Sequence, residues 1–263
     1  MTAAKFREMK FGVTRVKMRE GQNGIRYMVA EQALAPYAER MTDRLMHWAK
    51  EKPEQTLFAR RIKNADGSSG DWQHISYGQA LTFARHIAQG LINRGLNADR
   101  PVVILSENDL EHALMALGCM VAGVPYCPAS PAYSTISQDY DKLRHILTTL
   151  TPGLVFAADA TRYGKAIQTA VSSDVEVVLT HGQVDERTNT TFAELLATPI
   201  TPAVDAAMQA TGPDTIVKFL FTSGSTKLPK AVMNTQRMWC ANQQQMCQSM
   251  PLLAEQPPVL IDW

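Results

Sequence analysis

The sequence contains no CxxC pair: its cysteines, Cys119, Cys127, Cys240 and Cys247, stand apart. That spacing argues against a structural zinc site or a redox dithiol. The four thiols are expected to be reduced and mostly buried. An excess of charge of either sign is also missing. With 26 Lys and Arg against 25 Asp and Glu the net charge is +1, so there is no global electrostatic case for nucleic acid or an anionic membrane as partner. A long apolar run is missing too. Ala113 to Gln138 lacks Asp, Glu, Lys and Arg, but Pro125, Pro128 and Pro131 break it. Only Ala113 to Val124 reads as an apolar helix, short of the roughly 20 residues that span a bilayer. Lys5, Arg7, Lys10, Arg15, Lys17 and Arg19 crowd the start with no apolar run behind them, unlike a secretory signal. A cytoplasmic protein without a membrane span is expected. Internal repeats and low-complexity tracts are absent as well.

What is present is a globular composition, 45% hydrophobic and 19% charged over 263 residues, enough to bury a sizeable core. Met41, Leu45 and Trp48 recur at helical spacing between Thr42 and Pro53, which predicts an amphipathic helix ended by the proline. Leu57 to Ile62 and Trp72 to Ile75 flank a turn-rich stretch, Asn64 to Gly70, and predict a hairpin. Ser76 with Gln79 forms a capping box for a helix through Leu91, closed near Gly95.

From Pro101 onward, strands alternate with helices. Pro101 to Leu105, Leu154 to Ala157 and Val175 to Leu179 read as strands; Asp109 to Val121, Gln138 to Leu150 and Tyr163 to Val171 read as helices. Thr191 with Glu194 offers a second capping box. Short runs that are apolar on both faces suit a mostly parallel sheet covered by helices, an α/β fold. Ile216 to Phe221 reads as the clearest buried strand and Val232 to Met250 as the clearest helix after it. Pro257 to Trp263 reads as a strand just beginning, so the chain is expected to be cut short, with an exposed apolar edge at Val259 to Trp263 that favours poor solubility.

Between the strand ending at Phe221 and the helix that follows lies Thr222-Ser223-Gly224-Ser225-Thr226-Lys227-Leu228-Pro229-Lys230. Four hydroxyl residues, a glycine and two lysines in nine positions suit a polyanion. Gly224 permits a tight turn that brings N–H groups to a ligand. Ser223, Ser225 and Thr226 add small donors, and Lys230 supplies charge after Pro229 sets the chain direction. By composition alone, a plain loop is the competing reading. No G-x-x-x-x-G-K-[ST] string and no G-x-G-x-x-G string occurs anywhere, so two common nucleotide-binding loops are excluded.

The ordered string Thr-Ser-Gly-Ser-Thr-x-x-Pro-Lys directly after Lys218-Phe219-Leu220-Phe221 resembles the phosphate loop of the adenylate-forming (AMP-binding) superfamily. Ile75-Ser76-Tyr77-Gly78-Gln79-Ala80, Glu107-Asn108 after the Pro101 strand, and Gly123-Val124-Pro125-Tyr126 follow the order of landmarks in that superfamily's N-terminal domain. Pro128 to Ser134, Lys142-Leu143-Arg144-His145-Ile146, and Pro229 to Met238 further resemble feruloyl-CoA synthases. The resemblance implies the N-terminal part of the adenylate-forming large domain, with residues 1–40 an extension bearing short strands, residues 41–263 a partial AMP-binding domain, and a C-terminal lid domain absent.

It also implies a two-step reaction. A carboxylate attacks the α-phosphate of Mg-ATP to give an acyl-adenylate and pyrophosphate, and the thiol of coenzyme A then displaces AMP. Thr222, Ser223, Gly224, Ser225, Thr226, Lys227 and Lys230 are the implied nucleotide-binding residues, with ATP, Mg2+ and coenzyme A as co-substrates. Charge builds on the departing pyrophosphate, which is where fixed donors lower the barrier. The superfamily's catalytic and magnesium-binding residues would lie beyond Trp263, so no catalytic or metal residue is assigned within the chain. The chain alone is expected to be catalytically incomplete. Lys227 stands where most members carry glycine, and Gln236 where many carry histidine. An aromatic or hydroxycinnamic acid such as ferulate is the implied substrate. A medium- or long-chain fatty acid remains open, as does a non-catalytic nucleotide-binding remnant. The resemblance leaves the oligomeric state open.

His74, His86, His112, His145 and His181 occur singly, without metal-ligand spacing, and are expected on the surface or in hydrogen-bonded structural roles. Glu111 and His112 are expected on a solvated helix face opposite Leu114, Leu117 and Val121. Met233, Met238, Met246 and Met250 with Trp239 are expected mostly to pack a core rather than line an acid pocket.

Overall fold

The computed structural model describes residues 10–13, 15–64, 66–222 and 228–262. β1 (Val16–Glu20) and β2 (Arg26–Ala30) form an exposed antiparallel hairpin. α1 (Thr42–Glu51) buries Leu45 and Trp48, as their spacing predicts. β3 (Thr56–Lys63) and β4 (Ser69–Ser76) form the expected second hairpin. α2 (Tyr77–Asn93) opens on the capping box: Gln79 N–H donates to Ser76 Oγ at 3.2 Å, and Ser76 N–H donates to Gln79 Oε1 at 2.9 Å. Gly95, with φ of 67°, turns the chain away behind it, a conformation costly for residues with a Cβ.

The alternating half contains β5 (Val102–Leu105), α3 (Leu110–Ala122), β6 (Tyr126–Pro128), α4 (Ala132–Thr135), α5 (Asp141–Leu150), β7 (Leu154–Asp159), α6 (Ala160–Ala170), β8 (Glu176–His181) and β9 (Asn189–Thr191). After these come α7 (Phe192–Leu196), α8 (Ala203–Ala210), β10 (Ile216–Thr222), β11 (Lys230–Thr235), α9 (Gln236–Ser249), α10 (Leu252–Glu255) and β12 (Leu260–Asp262). Seven strands make one sheet in the order β11-β10-β6-β5-β7-β8-β9, parallel throughout except for β10 with β11. A three-stranded sheet joins β12, β3 and β4.

β5 shows why this is an α/β sheet with helices on both faces. Val102 and Ile104 enter one core with Ile87, Leu114 and Phe156. Val103 and Leu105 enter the other with Ile146, Val155 and Ile167. A strand covered twice has no polar side to alternate with, which is why its sequence is a continuous apolar run.

Several boundaries differ from expectation. α5 begins at Asp141 rather than Gln138 because a local turn forms first: Ser137 Oγ accepts from Tyr140 N–H at 3.1 Å, and Tyr140 is left-handed at φ 56°. Val232 to Met250 is not one helix. Lys230–Thr235 is a strand, and the helix starts at Gln236 behind the cap Thr235. Its backbone pairs with β10, satisfying an edge that would otherwise carry unpaired N–H and C=O groups. β10 itself is only half-buried: Val217 and Phe219 are buried, whereas Thr222 is exposed.

The methionines also depart from the core-packing expectation, with Met233, Met238 and Met246 exposed. α9 buries only Gln236 and Cys240, so its polar Asn242 to Gln245 run outweighs the methionine stripe. Its Gln248 grips the N-terminal segment, accepting from Ala35 N–H at 2.9 Å and donating to Ala33 O at 3.1 Å. β12 pairs parallel with β3, and Val259, Leu260 and Ile261 are exposed as the sequence suggests. All four cysteines are free; Cys119, Cys127 and Cys240 are buried and Cys247 is partly exposed. Among the described residues no helix is long and apolar enough to cross a membrane.

Candidate functional site

β10 runs parallel to β6, with Lys218 beside Tyr126, so the loop after Thr222 leaves the sheet at its carboxyl edge. Ligands of open α/β sheets bind outside that edge. Ser223, Gly224, Ser225, Thr226 and Lys227 lie outside the described residues, but both limbs of the loop are defined. Thr222 pairs with Lys230, and Phe221 with Ala231, in an antiparallel ladder. The loop is thus the tip of a strand–loop–strand hairpin, and the exposed Thr222 and Lys230 stand opposite each other at its base.

Behind the hairpin, Phe219 and Phe221 pack toward α5 and α6. Lys218 takes the opposite face, its ammonium 4.8 Å from the Trp239 ring centroid and 5.5 Å from that of Tyr126. Burial pushes its pKa down, and two aromatic faces offset part of the cost of desolvating the charge. His145, from α5, meets the loop's exit limb: Nε2 lies 2.9 Å from Pro229 O. A carbonyl can only accept, so Nε2 carries the proton.

The same edge of the sheet frames a cavity of about 990 Å³. Ser106 to Asn108 after β5, Pro128 to Pro131 around the end of β6, and His181 at the end of β8 form its floor. Arg60, Arg61 and Lys63 of β3 form a cationic wall. Arg60 is committed elsewhere, holding Glu111 through two hydrogen bonds of 2.9 and 3.3 Å. Arg61 donates to Gly70 O at 2.9 Å and lies over Trp72 at 4.4 Å. Lys63 has no ion-pair partner among the described residues.

The Glu111–His112 face is therefore not the solvated surface expected. Glu111 keeps only 16% side-chain exposure beneath Arg60. Burial pushes the His112 pKa down, and its Nδ1–H donates to Glu107 O at 3.0 Å. Asp109 caps α3, accepting from His112 N–H at 2.6 Å and from Ser106 Oγ–H. Its carboxyl pKa is raised, chiefly by burial. Arg162 grips the exposed Glu107 at 2.7 and 2.8 Å and holds that carboxyl below its ordinary range.

The structure thus brings Thr222 and Lys230 together at the loop base and leaves the remaining histidines apart. His86 meets Thr198 O at 2.7 Å and His74 meets Thr56 Oγ1 at 3.4 Å, both structural contacts. Among the described residues no group of three or more His, Cys, Asp or Glu could hold a metal. Two features of the site are not apparent from the sequence alone, the contact of His145 with Pro229 and the cationic wall of β3. His145 leaves no local signal, lying 84 positions from Pro229; the basic run Arg60-Arg61-Ile62-Lys63 is plain in the sequence, but the cavity it faces is not.

Residues 45–260 match the AMP-binding enzyme family. The chain belongs to that family. It is 28% identical over 206 residues to fatty acyl-CoA synthetase B of Dictyostelium discoideum, covering 74% of this chain and 30% of the relative. It is 29% identical over 172 residues to 4-coumarate–CoA ligase 3 of Oryza sativa subsp. japonica, covering 65% and 28%. The crystal structure of a long-chain-fatty-acid-CoA ligase from Archaeoglobus fulgidus superposes with a TM-score of 0.62 at 17% identity, over 81% of this chain and 40% of that one. That likeness shows the fold, the α/β architecture of adenylate-forming enzymes. The chain spans about a third of the length of these curated relatives.

Proposed function

We propose that this chain supplies the ATP-phosphate site of an AMP-forming acid–CoA ligase that activates an aromatic or hydroxycinnamic acid such as ferulate. The observation that carries the reading is the ordered string Thr222 to Lys230 at the tip of a hairpin on the carboxyl edge of a parallel sheet, in a chain of the AMP-binding family. Thr222, Ser223, Gly224, Ser225, Thr226, Lys227 and Lys230 hold the β- and γ-phosphates. Their work is electrostatic: hydroxyl and ammonium groups fixed at the loop stabilise the charge that grows on departing pyrophosphate. The donor set fits a polyphosphate, since Lys230 is exposed beside the exposed Thr222 and neither residue's side chain is engaged by a carboxylate among the described residues. Mg2+ accompanies ATP, and coenzyme A accepts the acyl group; no proton-transfer or metal-binding role falls to a residue of this chain. Residues 41–263 form the AMP-binding portion and residues 1–40 an extension to it. The protein works in the cytoplasm.

The Dictyostelium relative's name supports a second reading, a medium- or long-chain fatty acid as substrate. Acid-dependent ATP–pyrophosphate exchange by the protein purified from its source separates the two. Ferulate and 4-coumarate are expected to outpace octanoate and palmitate at equal concentration. Faster exchange with the fatty acids would replace the aromatic reading, and exchange with none of them would end both.

A further inference from the structure

The α5 helix reaches the exit limb of the loop through His145. We propose that His145 is a positioning residue for the phosphate loop, bracing the exit limb through Pro229 and the entry limb through Phe221; this rests on the reading of Thr222 to Lys230 as a phosphate site.

Pro229 is buried, whereas its neighbours Leu228 and Lys230 are exposed. A proline has no N–H, so its carbonyl is its only backbone polar group. A carbonyl shielded from water needs a donor, and His145 Nε2 meets this one at 2.9 Å in a part-buried contact. The same imidazole stands edge-on to Phe221, with centroids 6.2 Å apart and planes at 86°. Phe221 and Pro229 lie on opposite sides of the loop, one residue outside Thr222 and one before Lys230. A single ring therefore touches both limbs.

The ring is held firmly from behind. α5 buries Leu143, Ile146, Leu147 and Leu150, and Arg144 donates to Thr169 O at 2.7 Å, tying the helix to the end of α6. His145 projects from that anchored helix to a hairpin whose own side chains from Lys230 to Met233 are exposed. The exit limb at Pro229 is thus tied to a core helix in addition to the β10–β11 ladder. Fixed donors are worth more to a polyphosphate than mobile ones, because ordering them on binding costs entropy.

The test uses the 263-residue chain and three side chains at one position. His145→Phe keeps a ring against Phe221 and removes the donor; His145→Gln restores an N–H near the position of Nε2. Tripolyphosphate affinity is read by calorimetry, loop opening by hydrogen exchange in the peptide covering residues 222–232, and folding by thermal melting. His145→Phe is expected to bind tripolyphosphate about fivefold more weakly, the scale of one lost hydrogen bond. Its exchange should be faster in that peptide alone, with the melting temperature unchanged and His145→Gln close to wild type. Equal exchange and affinity in all three proteins would overturn the proposal. So would a melting temperature that falls in step with affinity and is not rescued by Gln, since that marks a merely structural role. If exchange responds as expected but the wild-type chain binds no tripolyphosphate, the brace stands and the phosphate role of the loop is overturned.

Discussion

β5 and β10 belong to one sheet and do different work. β5 is invisible to solvent: Val102, Val103 and Ile104 have 0% exposure, and neighbours pair with both its edges. β10 carries a desolvated lysine in its middle and an exposed threonine at its end, and it pairs with a partner whose first four side chains are exposed. Stability is concentrated in the centre of the sheet. β10, which leads into the candidate site, buries fewer of its side chains and carries a lysine and a threonine near the edge. A desolvated charge such as Lys218 costs folding energy, so tight burial and the placement of cations are best met by different strands.

The largest effect should come from the centre. Phe156 of β7 is fully buried, its ring centroid 5.5 Å from that of Phe192. Phe156→Ala is expected to cost about 3–5 kcal/mol in urea unfolding. A loss below about 1 kcal/mol would place the stability elsewhere and remove the contrast.

Lys230→Ala should invert that outcome. The side chain is exposed, so unfolding should stay within about 0.5 kcal/mol of wild type. Tripolyphosphate binding by calorimetry should weaken about tenfold, as expected for a charged hydrogen bond. Unchanged affinity would take Lys230 out of the site.

The smallest effect is acid sensitivity at the other side of the sheet. Glu176 at the start of β8 accepts from Arg94 at 2.7 and 2.8 Å and from Thr190 Oγ at 2.7 Å. The Arg94 hydrogen bonds foremost hold its carboxyl below the ordinary 4.5. A carboxyl lowered by folding contributes stability that is present above pH 4.5 and lost as pH falls through the lowered value. Melting temperature against pH should therefore fall less steeply below pH 4.5 in Glu176→Gln than in wild type. Parallel curves would show that the pair is too exposed to matter.

Local grammar made the parallel half readable. Ser76–Gln79 and Thr191–Glu194 span three positions, as a helix start requires, and both form the boxes expected of them. The runs in β5, β7 and β8 betray two-sided burial by their lack of alternation. Lys230 to Thr235 has no such signature, being a short mixed segment made a strand by the partner that the loop brings beside it. The methionine stripe of α9 follows a helical period, yet burial there is set by packing between distant segments, and the period says nothing of which face finds a neighbour. His145 carries the same lesson for the site. Its place in the sequence marks a helix, and only the fold places that helix behind Pro229.

The distribution of thiols has a practical consequence for spectroscopy. Burial raises Cys127 to about 12 and Cys240 to about 11, and raises Cys119 as well, so at neutral pH these three carry almost no thiolate to react with a maleimide. Cys247 is the partly exposed one, next to the Gln248 amide that grips Ala33 and Ala35. A dye attached there without mutagenesis would sit one residue from the fastening of the N-terminal segment. Its anisotropy would report when that fastening opens.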